Sequence, residues 1–391
     1  MIKRGIEKII MKTKRVEEID IIKAIAIICM VLGHSGAPMT DFIFLFHMAV
    51  FFLASGFTYK QESSESFVNF INEILKKLKR LWFPYFFWNS LFTLLNNWLI
   101  RINIYTDNQE LFAYTKSIRI MNLNSLSDYM SAKEILAQVV RHMLFMGSSK
   151  LTTPLWFLRV LFMISVFYTF SDWFIKKVFH QKQTFAYQLV ISTVLFCIGY
   201  YFSINKIKLP GMIECAASFY LLFFIGTLLN RYKEKLAGWQ LKQFLLVLLA
   251  SFGILVILYV FGNANIDLAH NQYSNPFKFL VSSLAGWVFC YALSYFLKCS
   301  PAKPLMTYIG KRTMSILILH YLSFKVVNLV IISIRNLPAF CLAARPHLYG
   351  DSGMWWMAFT VVGTACPLLL NLIYETIMKA VRCKYHAARQ V

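Results

Sequence analysis

Residues 19–38 have the sequence IDIIKAIAIICMVLGHSGAP, and residues 41–59, which follow almost directly, have the sequence DFIFLFHMAVFFLASGFTY. Each is a run of about 20 mostly apolar residues, the length that an α-helix needs to cross roughly 30 Å of hydrocarbon. Runs of this kind recur along the chain, and the pattern predicts an all-α polytopic membrane protein with about ten transmembrane helices in a single domain over 1–391. The eight further runs lie at 82–100, 154–175, 186–204, 213–230, 243–262, 278–297, 313–334 and 354–378.

The composition of the whole chain agrees with this class. Of the 391 residues, 58% are hydrophobic and only 15% are charged, and the mean hydropathy is +0.56. Because soluble domains are about half apolar and a quarter charged, these values exclude a soluble globular enzyme, a disordered chain and a coiled coil. The eight cysteines form no CxxC pair and most lie inside apolar runs, so we expect neither a disulfide framework nor a metal site.

The distribution of basic residues predicts the orientation. With the N-terminus in the cytoplasm, the inner segments carry 26 of the 40 Lys and Arg residues and the outer segments carry 10. Since basic residues are retained on the cytoplasmic side, both termini are predicted to be cytoplasmic, namely the basic segment 1–18 and the tail 379–391. The net charge of +22 thus reflects topology, and no nucleic-acid partner is expected. The long connection 101–153 is then extracytoplasmic, and its stretches Tyr114–Met130 and Ile135–Met146 are candidate surface helices.

The first predicted helix carries polar residues that are costly in a membrane. A charge there costs a disputed amount, roughly 2.5 to 10 kcal/mol or more, and usually marks a cavity, a partner or a site. Lys23 and His34 are eleven residues apart, close to three whole turns, so both lie on one face about 16 Å apart along the axis. Asp20 is three residues before Lys23 and lies on the same face. The alternative is that Lys23 extends toward the inner surface and His34 is merely interfacial.

The second predicted helix brings His47 to nearly the same depth as His34. An imidazole can accept or donate a proton near neutral pH, so His47 is a candidate for acid–base chemistry. The alternative for His47 is an interhelical hydrogen bond, which stabilises membrane helices without any chemistry. Ser55 in the same run is a candidate nucleophile, or alternatively a small residue that permits close helix packing.

Other polar residues extend the candidate site. Arg80 ends the basic run at 76–80 and is a candidate contact for a polyphosphate, although anchoring to anionic lipid also explains that run. Arg159, Glu214 and His320 lie within or at the ends of predicted spans, where structural pairing is the alternative to a functional role.

These residues together resemble the acyltransferase-3 family of bacterial membrane proteins, and more closely its fucose 4-O-acetylase-like and polysaccharide O-acyltransferase branch. The family's first helix has a basic residue, ten intervening residues and a histidine, which Lys23 and His34 match, although most members have Arg there. Residues 46–56, FHMAVFFLASG, resemble the family's second helix, with Ala49 where Pro is usual. Residues 79–85, KRLWFPY, resemble its entry to the third helix. Two later segments, Leu155–Leu158 and the stretch from Gly310 to His320, resemble segments farther along the family's sequence.

The resemblance implies transfer of an acyl group, usually acetyl, from cytoplasmic acyl-CoA to a hydroxyl of a cell-surface or lipid-linked glycan. It implies a multi-pass protein of the cytoplasmic membrane, with acetyl-CoA as a co-substrate and without a tightly bound cofactor or a metal. The resemblance does not determine the acceptor glycan, the length of the acyl group or the oligomeric state, for which a homo-oligomer is one option.

Within this resemblance each candidate residue receives an expected role. His34 is expected to be the general base, Asp20 to hold Lys23, and His47 to assist the oxyanion or position the acceptor. The donor is expected to contact Lys23, Arg80 and Arg159. The residues expected near the substrate are Ser55, Trp156, Glu214 and His320. An acyl-enzyme formed at His34 or Ser55 is an open alternative to direct transfer.

Two other functions fit a helical membrane protein with buried charges. One is a transporter or exporter of a glycan or lipid, and the other is a non-catalytic partner of a polysaccharide synthase. Transporters often have inverted repeats, and no internal repeat is visible in this sequence. Release or binding of CoA by the purified protein would favour the enzyme over both.

Overall fold

The computed structural model describes residues 17–108, 126–179, 184–234, 238–262, 266–348 and 354–387, with the backbone alone for 382–387. The described chain is helical almost throughout, which confirms the prediction of an all-α polytopic membrane protein. Three predicted features lie wholly or partly outside these residues. They are the basic N-terminus up to residue 16, most of the stretch Tyr114–Met130, and the end of the cytoplasmic tail.

Fifteen α-helices are present in the described residues, here numbered in chain order. They are α1 Glu17–His34, α2 Thr40–Phe44, α3 His47–Phe57, α4 Phe67–Lys77, α5 Phe83–Leu94, α6 Asn96–Arg101, α7 Ala132–Met143, α8 Trp156–Phe179, α9 Thr184–Ile204, α10 Ile213–Arg231, α11 Leu241–Phe261, α12 Pro276–Lys298, α13 Lys303–Lys311, α14 Thr313–Arg335 and α15 Trp355–Ala387.

Short elements complete the described fold. Two strands of two residues, β1 Ile266–Asp267 and β2 Gln272–Tyr273, pair antiparallel in a hairpin before α12. A π-helical turn, Leu78–Trp82, joins α4 to α5. Five 3₁₀ turns lie at Gln61–Ser64, Lys150–Leu155, Pro210–Met212, Leu268–His270 and Ala339–Ala343.

Eight segments in the described residues are long and apolar enough to cross a membrane, against about ten predicted. The predicted span 82–100 is divided at Leu95 into α5 and α6, which have 12 and 6 residues and are each too short to cross alone. The first predicted span is α1, which has only 18 residues and includes four charged side chains. The eight segments are Thr40–Phe57, Lys150–Phe179, Thr184–Ile204, Pro210–Arg231, Leu241–Phe261, Pro276–Lys298, Thr313–Arg335 and Trp355–Val381.

Helix α1 tolerates its charges because it lies at the centre of the bundle. It packs against α3, α12, α13, α14 and α15, and most of its residues are buried. Its first turn is held by ion pairs from Glu17 to Lys303, at 3.0 Å, and from Glu18 to Lys298. Helix α11 is the opposite case, since nearly all of its apolar residues face outward, as expected for contact with lipid. The polar residues of α1 therefore face protein rather than hydrocarbon.

Helices α3 and α10 pack with their backbones in direct contact. A β-carbon added at Gly56 would lie 1.9 Å from the carbonyl oxygen of Phe223, and one added at Gly226 would lie 2.2 Å from that of Leu53. Small residues at such contacts allow membrane helices to approach closely and gain van der Waals energy. The position of α3 in the bundle is therefore fixed from the side facing α10.

An amphipathic helix lies inside the predicted outer connection 101–153 and overlaps the stretch predicted from Ile135 to Met146. This helix, α7, begins with a capping box in which Ser131 and Glu134 each satisfy a backbone amide of the other. Leu136, Val140 and Met143 are exposed along one face of α7. An apolar face beside a polar one is typical of a helix that lies in the membrane interface.

Candidate active site

One face of α1 lines a cavity of about 170 Å³ inside the bundle. Lys23, Ile27 and Met30 contribute to its wall at spacings of four and three residues, which is one stripe of an α-helix. His34 follows Met30 by four residues and continues the same stripe. The structure thus places Lys23 in the cavity and His34 one turn beyond its end. We call this space the donor cavity, because Lys23 is expected from the sequence to contact the acyl donor.

Two other helices present similar stripes to the donor cavity. On α3 the lining residues are Ser55, Phe51 and Met48, and on α14 they include Met314 and Leu317. Leu158 and Leu161 of α8 and Leu81 of the π-helical turn close the remaining sides. The cavity is therefore mainly apolar, with Lys23 as its one charged lining residue in the described chain.

The three stripes converge beyond the cavity on His34. Tyr321, one turn after Leu317 on α14, has its hydroxyl 2.8 Å from Nδ1 of His34. The rings of Phe44 and His320 lie 6.5 and 5.4 Å from the His34 ring, measured between centroids. The imidazole of His34 is half-buried, whereas Tyr321 and His320 are buried. A cavity that ends at a histidine held by a phenol is suited to acid–base chemistry on a group delivered through it.

Comparison with known proteins gives the family. The sequence profile of the acyltransferase-3 family, described as an acyltransferase domain, matches residues 16–372, nearly the whole chain. The chain belongs to the acyltransferase-3 family. It is therefore an acyltransferase and a multi-pass membrane protein. No curated protein and no solved structure gives a significant match.

Hydrogen bonds to backbone carbonyls fix the tautomers of two further histidines of this acyltransferase. Nδ1 of His47 lies 2.9 Å from the carbonyl oxygen of Ile43, and Nδ1 of His320 lies 2.9 Å from that of Ile316. Because a carbonyl only accepts, both Nδ1 atoms carry hydrogen, and a neutral ring then has its lone pair on Nε2. Neutral His47 is thus a hydrogen-bond acceptor at Nε2 and donates to an oxyanion only when it is protonated.

His320 is the more unusual of these two histidines. Its side chain is 0% exposed, and its Nε2 atom has no hydrogen-bond partner among the residues that the structure describes. An unsatisfied buried polar atom costs about 1–3 kcal/mol, so it needs a reason in a native protein. Its ring lies 5.4 Å from the His34 ring, so this unpaired nitrogen belongs to the same group of side chains as His34 and Tyr321.

The segment after α14 covers the end of the site at His34, and sequence reasoning missed it. The guanidinium carbon of Arg345 lies 6.0 Å from the Tyr321 ring centroid, and its Nη1 donates to Thr153 at 2.7 Å and to the Lys150 carbonyl. His347 packs on Gly36, whose φ is +79° and where a β-carbon would lie 2.6 Å from that ring. Burial lowers the pKa of the His347 imidazole, which favours its neutral form at pH 7.

At the other end of the donor cavity, the predicted inner mouth lies beside the basic run. Leu81 lines the cavity, and Arg80 is the exposed residue just before it on the same π-helical turn. Asp20 is 2% exposed, one turn from Lys23, where α1 packs against α13. The structure thus has Lys23 in the cavity wall, Asp20 one turn before it on α1, and Arg80 next to the lining residue Leu81.

Arg159 and Glu214, in contrast, have structural partners away from the donor cavity. Nη1 of Arg159 donates to the carbonyls of Phe145 and Gly147 at 3.2 and 3.4 Å, which fixes the loop after α7. A carboxylate oxygen of Glu214, which is 2% exposed, accepts from the amide of Leu209 at 3.0 Å and so holds the turn before α10.

Ser55 and Trp156 are the last of the predicted residues. The hydroxyl of Ser55 lines the donor cavity and donates to the Phe51 carbonyl at 2.8 Å, so its hydrogen is already used within α3. Trp156 is buried at the start of α8 and does not line the cavity, although its neighbour Phe157 does. Among the described residues, no group of three or more His, Cys, Asp or Glu side chains is placed to hold a metal ion.

Proposed function

We propose that this acyltransferase moves an acyl group, most simply acetyl, from cytoplasmic acyl-CoA to a hydroxyl of a cell-surface or lipid-linked glycan. The protein is then an enzyme of the bacterial cytoplasmic membrane, related to the fucose 4-O-acetylase-like branch. The main support for the proposal is the donor cavity, which extends from Lys23 to one helical turn before the His34–Tyr321 pair. Its apolar wall suits an extended pantetheine arm, whereas CoA itself is too polar to cross.

His34 is proposed as the general base of a direct transfer. Its Nε2 takes the proton from the acceptor hydroxyl while the hydroxyl oxygen attacks the thioester carbonyl carbon. The tetrahedral intermediate then collapses, the carbon–sulfur bond breaks, and the leaving thiolate takes the proton back from His34. The products are the acyl ester of the glycan and free CoA thiol, so atoms and charge balance without any further reactant.

Tyr321 is proposed to set the tautomer of His34. When Nδ1 of His34 donates to the Tyr321 oxygen, the lone pair lies on Nε2, which is the form that a general base needs. His320 is a proposed positioning residue, because its unpaired Nε2 favours a positive charge on the neighbouring His34 ring in the transition state.

The donor is proposed to be held at the inner end of the site. The Lys23 ammonium, oriented by Asp20, contacts the polar part of the donor inside the cavity, and Arg80 adds charge at its mouth. Ser55 lines the cavity beside the pantetheine arm. His47, with its acceptor Nε2, is better suited to bind a hydroxyl of the acceptor than to donate to the oxyanion.

Replacing Tyr321 by phenylalanine removes the hydrogen bond and keeps the ring. We expect the rate of acetyl transfer to fall about 2- to 10-fold, because a neutral hydrogen bond contributes about 0.5–1.5 kcal/mol. The pH dependence of kcat/KM is expected to shift as well, since the base loses its partner. An unchanged rate and pH profile in the phenylalanine variant would contradict the role assigned to Tyr321.

Replacing Lys23 by glutamine tests the donor contact. We expect the KM for acetyl-CoA to rise about 10- to 100-fold, which corresponds to the loss of one charge-assisted contact. The matched variant Lys23→Arg keeps the charge and is expected to stay within a few-fold of the wild type. Steady-state kinetics of CoA release measure both, and equal KM values for the glutamine variant and the wild type would remove Lys23 from the donor site.

The transfer reaction itself is tested in liposomes. Purified protein is reconstituted with acetyl-labelled acetyl-CoA on one side and extracted surface glycans on the other. We expect the label to appear on the glycan and CoA to be released in equal amount. Glycans that cross intact and unlabelled would instead identify an exporter. Mass spectrometry of surface glycans from cells with and without this gene then identifies the acceptor.

A further inference from the structure

A second cavity, of about 290 Å³, lies at the ends of α8, α9 and α10 that the Lys and Arg count assigns to the cytoplasm. It opens into a groove of about 370 Å³, with which it shares Tyr59, Gln61, Thr227 and Arg231. None of these residues lines the donor cavity, and none is used in the mechanism above. We call the cavity and its groove together the cytoplasmic cavity.

The wall of the cytoplasmic cavity contains a buried carboxylate with spare acceptor capacity. Asp172 is 4% exposed, and its Oδ2 atom receives the Tyr59 hydroxyl at 3.2 Å, Lys176 Nζ at 3.0 Å and the Ser64 hydroxyl. All three contacts are made by Oδ2, and no described residue donates to Oδ1, which leaves that atom able to accept a hydrogen bond. Charged side chains buried in a membrane protein usually mark a binding site or a pathway.

Two cations of the cytoplasmic cavity form no ion pair in the described chain, although the carboxylates of Glu62 and Glu65 also line this space. Arg231 and Lys60 are exposed, and neither takes part in the ion pairs of the described residues. The guanidinium carbon of Arg231 lies 6.0 Å from the ring centroid of Phe185, which also lines the cavity. A guanidinium presents a fork of donors that matches phosphate, and a lysine adds a point charge.

These groups fit the parts of a nucleotide. Arg231 and Lys60 suit phosphates, Asp172 Oδ1 suits a ribose hydroxyl, and the aromatic walls suit a base. We propose that the cytoplasmic cavity binds the nucleotide end of the acyl donor. This inference rests on the proposed use of acyl-CoA. It assigns the phosphates of the nucleotide to Arg231 and Lys60, and Arg80 then adds only its positive charge at the mouth of the donor cavity.

The cytoplasmic cavity lies where a single extended ligand could occupy both it and the donor cavity. Tyr59 follows Ser55 by four residues and lies two residues after the end of α3, so both cavities reach the C-terminal end of this helix. On α8 the donor cavity is lined by Leu158 and Leu161, and the cytoplasmic cavity by residues from 168 onward, farther toward the inner side. The pantetheine arm would pass around the end of α3 toward Lys23.

The test is equilibrium binding of adenosine 3′,5′-bisphosphate, which has the nucleotide and lacks the thioester, to the purified full chain. We expect Arg231→Gln and Lys60→Gln each to weaken binding at least about 10-fold, as expected for a lost charge-assisted contact. Lys233→Gln is the matched control, because it removes the same charge two residues from Arg231 and does not line the cavity. Folding of each variant is checked by size-exclusion chromatography in detergent.

The outcomes separate this inference from the proposed function. Wild-type binding of the bisphosphate by Arg231→Gln, or an equal loss in Lys233→Gln, overturns the cavity assignment. Loss of binding in Arg80→Gln but not in Arg231→Gln also overturns it and places the nucleotide at the basic run. Absence of acetyl transfer by the wild type in liposomes overturns the proposed function instead, because that measurement does not depend on the bisphosphate.

Discussion

Replacement of His34 by alanine is expected to lower the rate of acetyl transfer by about 10²- to 10⁴-fold, the factor that a positioned general base contributes. The physical reason is that the acceptor hydroxyl then loses the group that takes its proton as it attacks. The protein should stay folded, since the His34 side chain is only half-buried and lies at the end of α1. The measurement is the initial rate of glycan labelling in liposomes.

His270→Ala is the control for this variant. His270 has an exposed side chain in the β-hairpin region and contacts Asp267 at 2.7 Å, far in the chain from the donor cavity. We expect its transfer rate to equal that of the wild type. A His34→Ala variant that transfers acetyl as fast as His270→Ala would remove His34 from the chemistry and would favour an acyl-enzyme at another residue.

Replacement of Gly56 by alanine is expected to have the largest effect on stability. The new β-carbon would lie 1.9 Å from the Phe223 carbonyl oxygen, a backbone atom that cannot turn aside. Helices α3 and α10 must therefore separate, and overpacking of this kind costs about 1–3 kcal/mol or more. The thermal unfolding midpoint in detergent should fall, and the wall that α3 gives to the donor cavity should shift with it.

Gly253 offers a matched control within a membrane helix. A β-carbon at Gly253 in α11 meets nothing within 4 Å, so Gly253→Ala adds the same methyl group without a clash. We expect its unfolding midpoint to equal or exceed that of the wild type, because alanine has the higher helix propensity. Equal midpoints for the Gly56 and Gly253 variants would show that the α3–α10 contact is not close in the folded protein.

The sequence predicted the class of fold because the signal was repeated. Ten apolar runs of helical length identify a polytopic membrane protein even when individual boundaries are wrong. The number of membrane-crossing helices was harder to predict. Whether the charges of α1 are tolerated, and whether the run at 82–100 is divided at Leu95, depends on what surrounds each helix. A helix buried within a bundle tolerates charges that lipid would exclude, and the sequence alone does not show which neighbours it has.

The candidate site was predictable only where the spacing along one helix decides the geometry. Lys23 and His34 are eleven residues apart, which places both side chains on one stripe of α1. In the structure, Ile27 and Met30 lie between them on this stripe and line the cavity. Tyr321 and Arg345 come from α14 and the segment after it, about 290 residues or more farther along the chain. The adjacent His320 was a usable signal for Tyr321, whereas no pattern in the sequence pointed to Arg345.

The interruption between α2 and α3 has an electrostatic consequence for the chemistry at His34. Leu45 and Phe46 separate the two helices, and Phe46 at the start of α3 provides no side-chain cap. The aligned peptide dipoles of α3 therefore present their positive end inside the protein, near Phe44 and the His34 ring, rather than at an aqueous surface. Amides at such an end lower the energy of a nearby negative oxygen, and in the proposed reaction this field would stabilise the thioester oxygen as it gains charge.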